Sequence, residues 1–344
     1  MKNALLGGLS PARFLREYWH KKPLLIRNAI PDFRGLLSPV DMQALARRDD
    51  VESRLVRGSG THWTLDHGPF RAADFKRLPK TAWTLLVQSV NHHLPDGDAL
   101  LKRFDFIPHA RLDDLMVSYA VPGGSVGPHF DSYDVFLLQG QGHRRWQIGT
   151  QSDLSLLPDA PLKILRRFEA EAEWVLGPGD MLYLPPHLAH YGVAEDACMT
   201  YSIGFRAPTA EELAQAFLMH LQDTVKLEGR YADPDLGLQR HPGEISRAML
   251  DRIETMIARV KWNRRDIAAF AGSYLSEPKP NVFFDPPLSP LAPAAFRRQA
   301  GKRGVALHAK SRLLFVGTRF YINGEAFSPA RDEQAALRVL ADSR

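Results

Sequence analysis

One H-x-D pair, His129 and Asp131, restricts the possible folds more than any other part of the chain. It lies in residues 115–149, LMVSYAVPGGSVGPHFDSYDVFLLQGQGHRRWQIG. Side chains two residues apart on a β-strand point to the same side. The pair therefore predicts a strand that presents an imidazole and a carboxylate to one metal ion. A second histidine would complete a 2-His-1-carboxylate site, which leaves open positions on Fe(II).

The residues after this pair predict strands that wrap around it. The apolar run VFLL at residues 135–138 ends at the turn Gly140-Gln141-Gly142. A second strand is expected to follow, with Arg144 near its beginning. The metal ligands would then lie inside a layer of consecutive strands.

The third metal ligand is expected where a later strand returns beside the first. Gly177-Pro178-Gly179-Asp180 predicts a turn, and Met181–Leu184 predicts a short buried strand that ends at Pro185-Pro186. His190 follows and is the expected ligand. His187 is the alternative, but it comes directly after the prolines, where the chain is still turning.

The G-D-x-L-Y-L-P-P-x-x-x-H run after an H-x-D pair resembles the JmjC-type cupins, double-stranded β-helix oxygenases that use Fe(II) and 2-oxoglutarate. The segments FLREYWHKKPLLIRNA (residues 14–29) and YSIGFRAP (residues 201–208), taken with the H-x-D core, resemble one branch of that family. This branch is the bacterial ribosomal oxygenases, JmjC-type arginine hydroxylases of large-subunit ribosomal protein sixteen. The resemblance spans the whole chain, and the ordered set of motifs is far more specific than H-x-D alone.

The resemblance implies Fe(II) as the metal, with 2-oxoglutarate and O2 as cosubstrates. The expected metal ligands are His129, Asp131 and His190. Arg144 is expected to bind the distal carboxylate of 2-oxoglutarate, because a buried dicarboxylate needs a cation and a guanidinium binds it in a bidentate way. Ser118 is expected to donate its hydroxyl to the same carboxylate, with Tyr119 as the alternative while the strand register is open. Ser202 is a weaker candidate, and Arg145 is expected to face away. Substrate-binding residues stay unassigned.

The element pattern and the resemblance imply an α+β fold in three parts. Residues 1–208 are expected to form a JmjC/cupin double-stranded β-helix barrel with N-terminal helices, residues 209–262 a helical dimerisation region, and residues 263–344 a winged-helix-like domain. Helices predicted at about 209–223 and 244–260 each carry apolar residues on one face. Either a second copy of the chain or its own barrel must cover these faces, and the resemblance favours a homodimer.

The C-terminal part combines helices with a small hairpin, whose strands are predicted at residues 313–316 and 319–322. Its basic residues form a cluster: Arg297, Arg298, Lys302, Arg303, Lys310 and Arg312. Such a cluster indicates either contact with RNA or a solvated surface. We favour the solvated surface, so direct nucleic-acid binding is not expected.

Composition agrees with an ordinary globular protein, with 44% hydrophobic and 24% charged residues. The single cysteine, Cys198, excludes an internal disulfide and suits a reducing cytoplasm. A signal-peptide core and a membrane-spanning apolar stretch are both missing, so we expect a cytoplasmic protein without a membrane partner. The net charge of +5 raises a difficulty, because a basic enzyme that acts on a basic ribosomal protein needs a locally acidic pocket.

The leading hypothesis is an Fe(II)- and 2-oxoglutarate-dependent hydroxylase of an arginine side chain in a large-subunit ribosomal protein. One alternative is a non-catalytic, metal-binding regulatory cupin joined to a nucleic-acid-binding winged helix. Others are a different cupin metalloenzyme and a histidine-hydroxylating ribosomal oxygenase. Arg144 favours the enzyme, because a regulatory cupin does not need a buried clamp for a dicarboxylate. The chain alone does not distinguish arginine from histidine as the target.

Overall fold

A computed structural model describes residues 4–343. Its strands, in chain order, are β1 (Leu24–Ile26), β2 (Ser53–Ser59), β3 (His62–His67), β4 (Trp83–Val87), β5 (Leu112–Ala120), β6 (Val135–Gln141), β7 (Arg144–Gly149), β8 (Ala172–Leu176), β9 (Met181–Leu184), β10 (Ala189–Ala194), β11 (Cys198–Phe205), β12 (Leu313–Val316), β13 (Arg319–Ile322) and β14 (Glu325–Phe327). Its α-helices are α1 (Pro11–Glu17), α2 (Pro39–Leu45), α3 (Ala72–Lys76), α4 (Pro95–Lys102), α5 (Ala210–Thr224), α6 (Arg247–Ile257), α7 (Arg264–Ser276), α8 (Pro293–Arg303) and α9 (Gln334–Ser343). Two short 3-10 helices lie at Ala4–Leu6 and Val90–His92.

The first two helices begin at Ser-Pro pairs, as the sequence predicts. The Ser10 side chain accepts a hydrogen bond from the backbone N–H of Arg13 at 3.2 Å. Ser38 and Asp41 form a capping box at the start of α2. Helix α1 ends earlier than its predicted end near residue 20, because the chain turns there and His20 adopts a left-handed φ of +58°.

Two antiparallel sheets form the barrel. The larger sheet has the order β1-β9-β6-β11-β5-β4-β2-β3, and the smaller has the order β10-β7-β8. Leu137, Trp146 and Leu182 belong to the apolar cluster between them. Alternate residues of the same strands pack with the N-terminal helices, where Phe14 and Met42 are fully buried. The chain therefore has the double-stranded β-helix, and the predicted fold class is confirmed.

Residues 83–90, for which the sequence left strand and helix open, form strand β4 and a short 3-10 turn. Every residue of β4 is buried. A strand that is buried on both faces has no alternation of apolar and polar residues. Its periodicity therefore could not separate it from a buried helix.

The chain divides into two compact units. The first contains the barrel up to Ala207 and also Pro278–Arg312, which includes α8. The second contains Pro208–Glu277 and Leu313–Ala341. The break after Ala207 lies at the predicted end of the barrel. The predicted division of the remaining chain into a dimerisation region (209–262) and a winged-helix-like domain (263–344) stays a prediction.

The second unit contains α5, α6, α7 and α9 with a three-stranded sheet in the order β12-β13-β14. Phe217 of α5 packs on Phe270 of α7 with ring centroids 5.3 Å apart. Part of the apolar face predicted for α5 is thus covered within its own unit. Strand β14 was not predicted, and it pairs with β13 across the predicted turn at Asn323-Gly324. None of the helices within residues 4–343 is long and apolar enough to cross a membrane.

Candidate metal and cosubstrate site

The three predicted metal ligands lie together. One ligand atom each from His129, Asp131 and His190 fall within 4.8 Å of one another. The two imidazole centroids are 4.2 Å apart, and Nε2 of His190 is 3.7 Å from Oδ2 of Asp131. Two imidazole nitrogens and one carboxylate oxygen are a ligand set that suits Fe(II).

The backbone that carries this pair differs from the prediction. His129 forms one isolated antiparallel bridge with His190, through N–H···O bonds of 2.9 and 2.8 Å, and Asp131 lies outside any strand. Gly127 has a φ of +81° and Pro128 has no N–H, so a regular ladder cannot continue towards the N-terminus. The predicted metal-bearing strand was wrong, although the three side chains still converge.

Backbone carbonyls determine which nitrogen of each imidazole is free. Nδ1 of His129 lies 2.9 Å from the Gly127 carbonyl oxygen, and Nδ1 of His190 lies 2.9 Å from that of Leu188. A carbonyl oxygen only accepts, so each Nδ1 carries the proton. The Nε2 lone pairs are therefore left for a metal, with both rings held in orientation by their Nδ1–H bonds.

Burial keeps the His190 ring neutral. The residue is 2% exposed, and burial lowers its pKa to about 4, an effect that nearby His129 reinforces and Asp131 opposes. At neutral pH the ring therefore does not have to lose a proton before it binds a cation.

His187, the alternative ligand, is not in the cluster formed among residues 4–343. Its side chain is exposed and its φ is +62°. Its backbone N–H donates to the carbonyl of Asp131 at 2.7 Å. The residue thus supports the segment that carries Asp131 through its backbone rather than through its imidazole.

Arg144 lines the same cavity from β7 and is 3% exposed. Its Nη1 donates to Ser118 Oγ at 3.1 Å and to Thr200 Oγ1 at 3.3 Å, whereas its buried Nε has no hydrogen-bond partner within the described residues. Burial lowers the pKa of Arg144, but a guanidinium remains charged at neutral pH. A buried cation without a counter-charge is costly, so this part of the cavity is suited to an anion.

The register of β5 separates the two candidates for a hydroxyl donor. Ser118 lines the cavity, whereas Tyr119 packs into the core on the other side of the sheet. Thr200 lies opposite Ser118 on β11 and was missed, because pairing between distant strands cannot be read from one sequence. The Thr200 hydroxyl donates to Gln139 Oε1 at 3.0 Å, which leaves its oxygen to accept from Arg144.

Trp146 supplies a second buried donor without a partner. Its Nε1 has no hydrogen bond within the described residues, and its ring centroid is 5.4 Å from the guanidinium carbon of Arg144. Two unpaired donors beside three candidate metal ligands fit a bound dicarboxylate such as 2-oxoglutarate. Arg145 points the other way, as expected, and pairs with Glu173 and Glu195. Ser202 is buried and lines the cavity without contacting Arg144.

The cavity has a volume of about 580 Å³ and extends to a group of charged residues that we name the charged mouth. The charged mouth consists of Glu52, Arg54, Asp113, Asp114, Lys163 and Lys279. Three acidic and three basic side chains balance here, so the charged mouth has no excess of negative charge. The acidic pocket expected for a basic substrate is therefore not present as a whole, and only individual carboxylates could pair with a cationic side chain.

Asp114 is the most buried carboxylate of the charged mouth, with 3% exposure. Its Oδ2 accepts hydrogen bonds from Gln88 Nε2 at 2.8 Å and from the N–H and Oγ of Ser89 at 3.0 and 2.8 Å. Nζ of Lys279 lies 3.6 Å from this oxygen and 2.9 Å from Oδ2 of Asp113. A fixed negative charge therefore lies at the cavity wall, where a cationic side chain could pair with it.

Three models of protein families match the chain. A JmjC domain matches residues 99–213, and a ROXA-like winged helix matches residues 259–344. An AraC-like ligand binding domain matches residues 168–259 and overlaps the first. The winged-helix-like part predicted from the C-terminal hairpin is thereby confirmed.

Relatives match over most of the chain. The ribosomal protein uL16 3-hydroxylase of Escherichia coli (strain K12) is 36% identical over 328 residues, which cover 94% of this chain and 87% of the relative. A probable ribosomal oxygenase of Haemophilus influenzae is 44% identical over 67% of this chain and 56% of its own length. The solved structure of YcfD, a ribosomal oxygenase from Escherichia coli in complex with cobalt and 2-oxoglutarate, has a TM-score of 0.81 and 35% identity, and the match covers 97% of this chain and 89% of that one.

Proposed function

The chain belongs to the JmjC ribosomal oxygenases, the family that includes the uL16 3-hydroxylase of Escherichia coli. From this premise we propose that it is an Fe(II)- and 2-oxoglutarate-dependent dioxygenase that hydroxylates an arginine side chain of the large-subunit ribosomal protein uL16. The observation that supports this most is the buried, unpaired Arg144 beside three convergent metal ligands. A regulatory cupin without a cosubstrate would have no use for that cation.

In this proposal the residues at the inner end of the cavity have separate tasks. His129 and His190 bind Fe(II) through Nε2, and Asp131 binds it through a carboxylate oxygen. Arg144 binds the distal carboxylate of 2-oxoglutarate, while Ser118 accepts a hydrogen bond from its guanidinium and so fixes its orientation. When bound, iron with its cosubstrates supplies the oxidising power that places one oxygen atom of O2 in a substrate C–H bond and the other in succinate.

The remaining walls orient the reactants and exclude water. Leu137 and Trp146 line the cavity between the sheets and are nearly fully buried. A dry cavity strengthens the charge-assisted bonds to 2-oxoglutarate, since fewer water molecules compete for them. Tyr133, whose hydroxyl pKa is raised by burial and by Asp131, keeps its proton and can donate a hydrogen bond to that carboxylate.

The charged mouth supports a cationic substrate side chain. Asp114 is fixed by three hydrogen bonds and lies along the cavity that leads to the metal ligands. A guanidinium can donate a charge-assisted hydrogen bond to the remaining oxygen of this carboxylate, Oδ1, whereas a neutral imidazole gains much less from the negative charge. This contrast favours arginine over histidine as the hydroxylated residue.

The test is hydroxylation of purified uL16 by the purified protein with Fe(II), 2-oxoglutarate and O2. Tandem mass spectrometry should find a gain of one oxygen atom on a single arginine, matched by succinate formation. The His129→Ala variant should give neither product, and the matched His187→Ala variant should give both. Oxygen on a histidine would select the alternative substrate class, and the absence of succinate from the unmodified protein would favour a regulatory cupin.

We also propose that the chain forms a homodimer through α5 and α6, in the cytoplasm where ribosomal proteins are assembled. Large apolar side chains on these helices are exposed: Leu213, Leu218, Met219, Met249, Leu250 and Ile257. Helix α6 has no buried residue at all. Light scattering should give the mass of two chains, and Leu218→Glu with Leu250→Glu should give one. Val339→Glu, an equally exposed apolar residue of α9, is the control and should leave the dimer intact. A monomeric unmodified protein would refute this assembly.

A further inference from the structure

We propose that helix α8 carries a binding face for the phosphates of RNA. This α8 basic face consists of Arg297, Arg298 and Lys302, which lie within about 140° of the helix circumference, and Arg303, which lies roughly 100° further round. All four side chains are exposed, and none has an ion-pair or hydrogen-bond partner within residues 4–343. The helix, Pro293–Arg303, contains no acidic residue, so four positive charges lie within its last two turns.

The structure divides the six basic residues that cluster in the sequence. Lys310 donates through Nζ to the carbonyl of Phe283 at 2.9 Å. Arg312 donates through Nη2 to the carbonyl of Leu112 at 2.8 Å. These two cations have structural partners inside the protein. The four on α8 have none, and this reverses our preference for a merely solvated surface.

Several other arginines of the molecule pair with acidic neighbours. Arg13 and Arg16 both pair with Glu17 on α1, at 3.0 and 2.9 Å. Arg48 pairs with Asp50, and Arg57 pairs with Asp66 across the β2–β3 hairpin. The charges of these four arginines are therefore neutralised by neighbours, unlike those of the four cations on α8.

Helix α8 gains little stability from packing or from an N-terminal cap. It has no buried residue, and its N-cap, Ala292, makes no side-chain capping bond. Arg298 and Lys302 are four residues apart on the helix, a like-charge spacing that is destabilising. Gly301 lies inside the helix and costs roughly 1 kcal/mol relative to alanine. A bound polyanion would remove the repulsion and stabilise a helix that the rest of the chain supports little.

The dimensions of the face suit a nucleic-acid backbone. From Arg297 to Arg303 the helix rises by about 9 Å at roughly 1.5 Å per residue. Along one strand phosphates follow each other at about 3.4 Å of axis, so the face spans roughly three to four phosphates. Phe296, next to Arg297, is exposed and offers a ring on which a base can stack. The choice of RNA over other polyanions rests on the proposed function, because ribosomal protein substrates are found next to ribosomal RNA.

The test measures binding of the full-length protein to a fluorescein-labelled, mixed-sequence RNA of about 20 nucleotides by anisotropy, at several salt concentrations. The variant replaces all four cations by glutamine, which keeps helix propensity (Arg297→Gln, Arg298→Gln, Lys302→Gln, Arg303→Gln). We expect at least tenfold weaker binding at low salt, and a plot of log K against log salt that is shallower by about 3, since each contact to a single strand contributes about 0.7.

A matched control removes the same number of charges where they are paired: Arg13→Gln, Arg16→Gln, Arg48→Gln and Arg57→Gln. It should bind RNA like the unmodified protein. An equal loss in both variants would overturn the α8 basic face, because net charge alone would then explain binding. No binding by the unmodified protein, or a preference for poly-glutamate or duplex DNA over RNA, would overturn it too. Succinate formation by the α8 variant should be unchanged, which keeps this outcome separate from the proposed enzymatic function.

Discussion

The inner end of the cavity, where Arg144 and the three proposed metal ligands lie, differs from the charged mouth in how its charges are paired. At the inner end, Arg144 is buried without a counter-charge, and a second donor on Trp146 is unpaired. At the charged mouth, Asp113 already pairs with Lys279. At the inner end a buried cation is left without a counter-charge, whereas at the mouth the carboxylates of Asp113 and Asp114 already have a cationic neighbour, Lys279, before a substrate binds.

The difference suggests that the two regions recognise different kinds of ligand. A small dicarboxylate that is needed in every turnover can be bound by a cation that is already buried in the cavity. The free-energy cost of burying that cation without a counter-charge is recovered when the dicarboxylate binds. A protein substrate must instead compete with contacts the enzyme makes to itself, which lowers affinity but rejects side chains that cannot replace those contacts. Four predictions test this contrast, beginning with the inner end.

The largest effect is expected for the three proposed metal ligands. Either His129→Ala or His190→Ala should reduce Mn(II) affinity more than about 100-fold, since even partners of metal ligands are worth about 10- to 100-fold. Asp131→Ala should do the same. Calorimetric titration with Mn(II) measures this, and circular dichroism should show an unchanged fold. The control, His187→Ala, should bind normally, and an exchange of the His187 and His190 results would move the third ligand.

The second effect concerns the buried cation. Arg144→Ala should keep Mn(II) but lose 2-oxoglutarate affinity by about 100-fold, or about 3 kcal/mol at roughly 1.4 kcal/mol per tenfold change. Arg144→Lys should retain part of the affinity, because a lysine supplies the charge without the bidentate geometry. Arg145→Ala, the control on the opposite face of β7, should bind 2-oxoglutarate normally. Equal affinity in Arg144→Ala and the unmodified protein would place the anion site elsewhere.

The sequence predicts the two regions to different extents, for physical reasons. The inner end depends on short-range patterns, namely an H-x-D pair, a glycine turn before Arg144 and a proline-ended strand before His190. The prediction of a regular strand at His129 was wrong, but a single backbone bridge between His129 and His190 still brings the candidate ligands together. Thr200 escaped prediction because its place beside Ser118 depends on the register between β5 and β11.

The charged mouth could not be predicted, because it joins parts of the chain that no local pattern connects. Lys279 reaches Asp113 across 166 residues, from a proline-rich segment that reads only as a loop. Asp114 lies within β5, and no local pattern separates it from an ordinary polar strand residue, because its partners Gln88 and Ser89 come from a distant part of the chain. The net charge of the chain, +5, predicted nothing about these individual carboxylates.

The third effect should fall on substrate and spare the inner end. Asp114→Asn keeps an oxygen that can accept the bonds from Gln88 and Ser89, but it removes the negative charge. The apparent KM for a uL16 peptide should rise about 30-fold, which corresponds to roughly 2 kcal/mol, the low end of what loss of a buried charge partner costs. The affinity for 2-oxoglutarate should not change. A lower affinity for 2-oxoglutarate with an unchanged KM for the peptide would contradict the proposal that the two regions recognise different ligands.

The smallest effect should have the opposite sign. Nζ of Lys279 lies 2.9 Å from Asp113 and 3.6 Å from Asp114, where the cation of a substrate would also have to lie. Lys279→Met removes this competing charge, so the apparent KM for the peptide should fall, by about fivefold at most because partly exposed ion pairs are worth about 1 kcal/mol or less. Lys163→Met is the control, since Lys163 lines the same cavity and pairs with no carboxylate within residues 4–343. Peptide kinetics at fixed, saturating 2-oxoglutarate separate the cases. A rise in KM for Lys279→Met would mean that the lysine holds the carboxylates in place for the substrate, and that the mouth, like the inner end, is organised in advance.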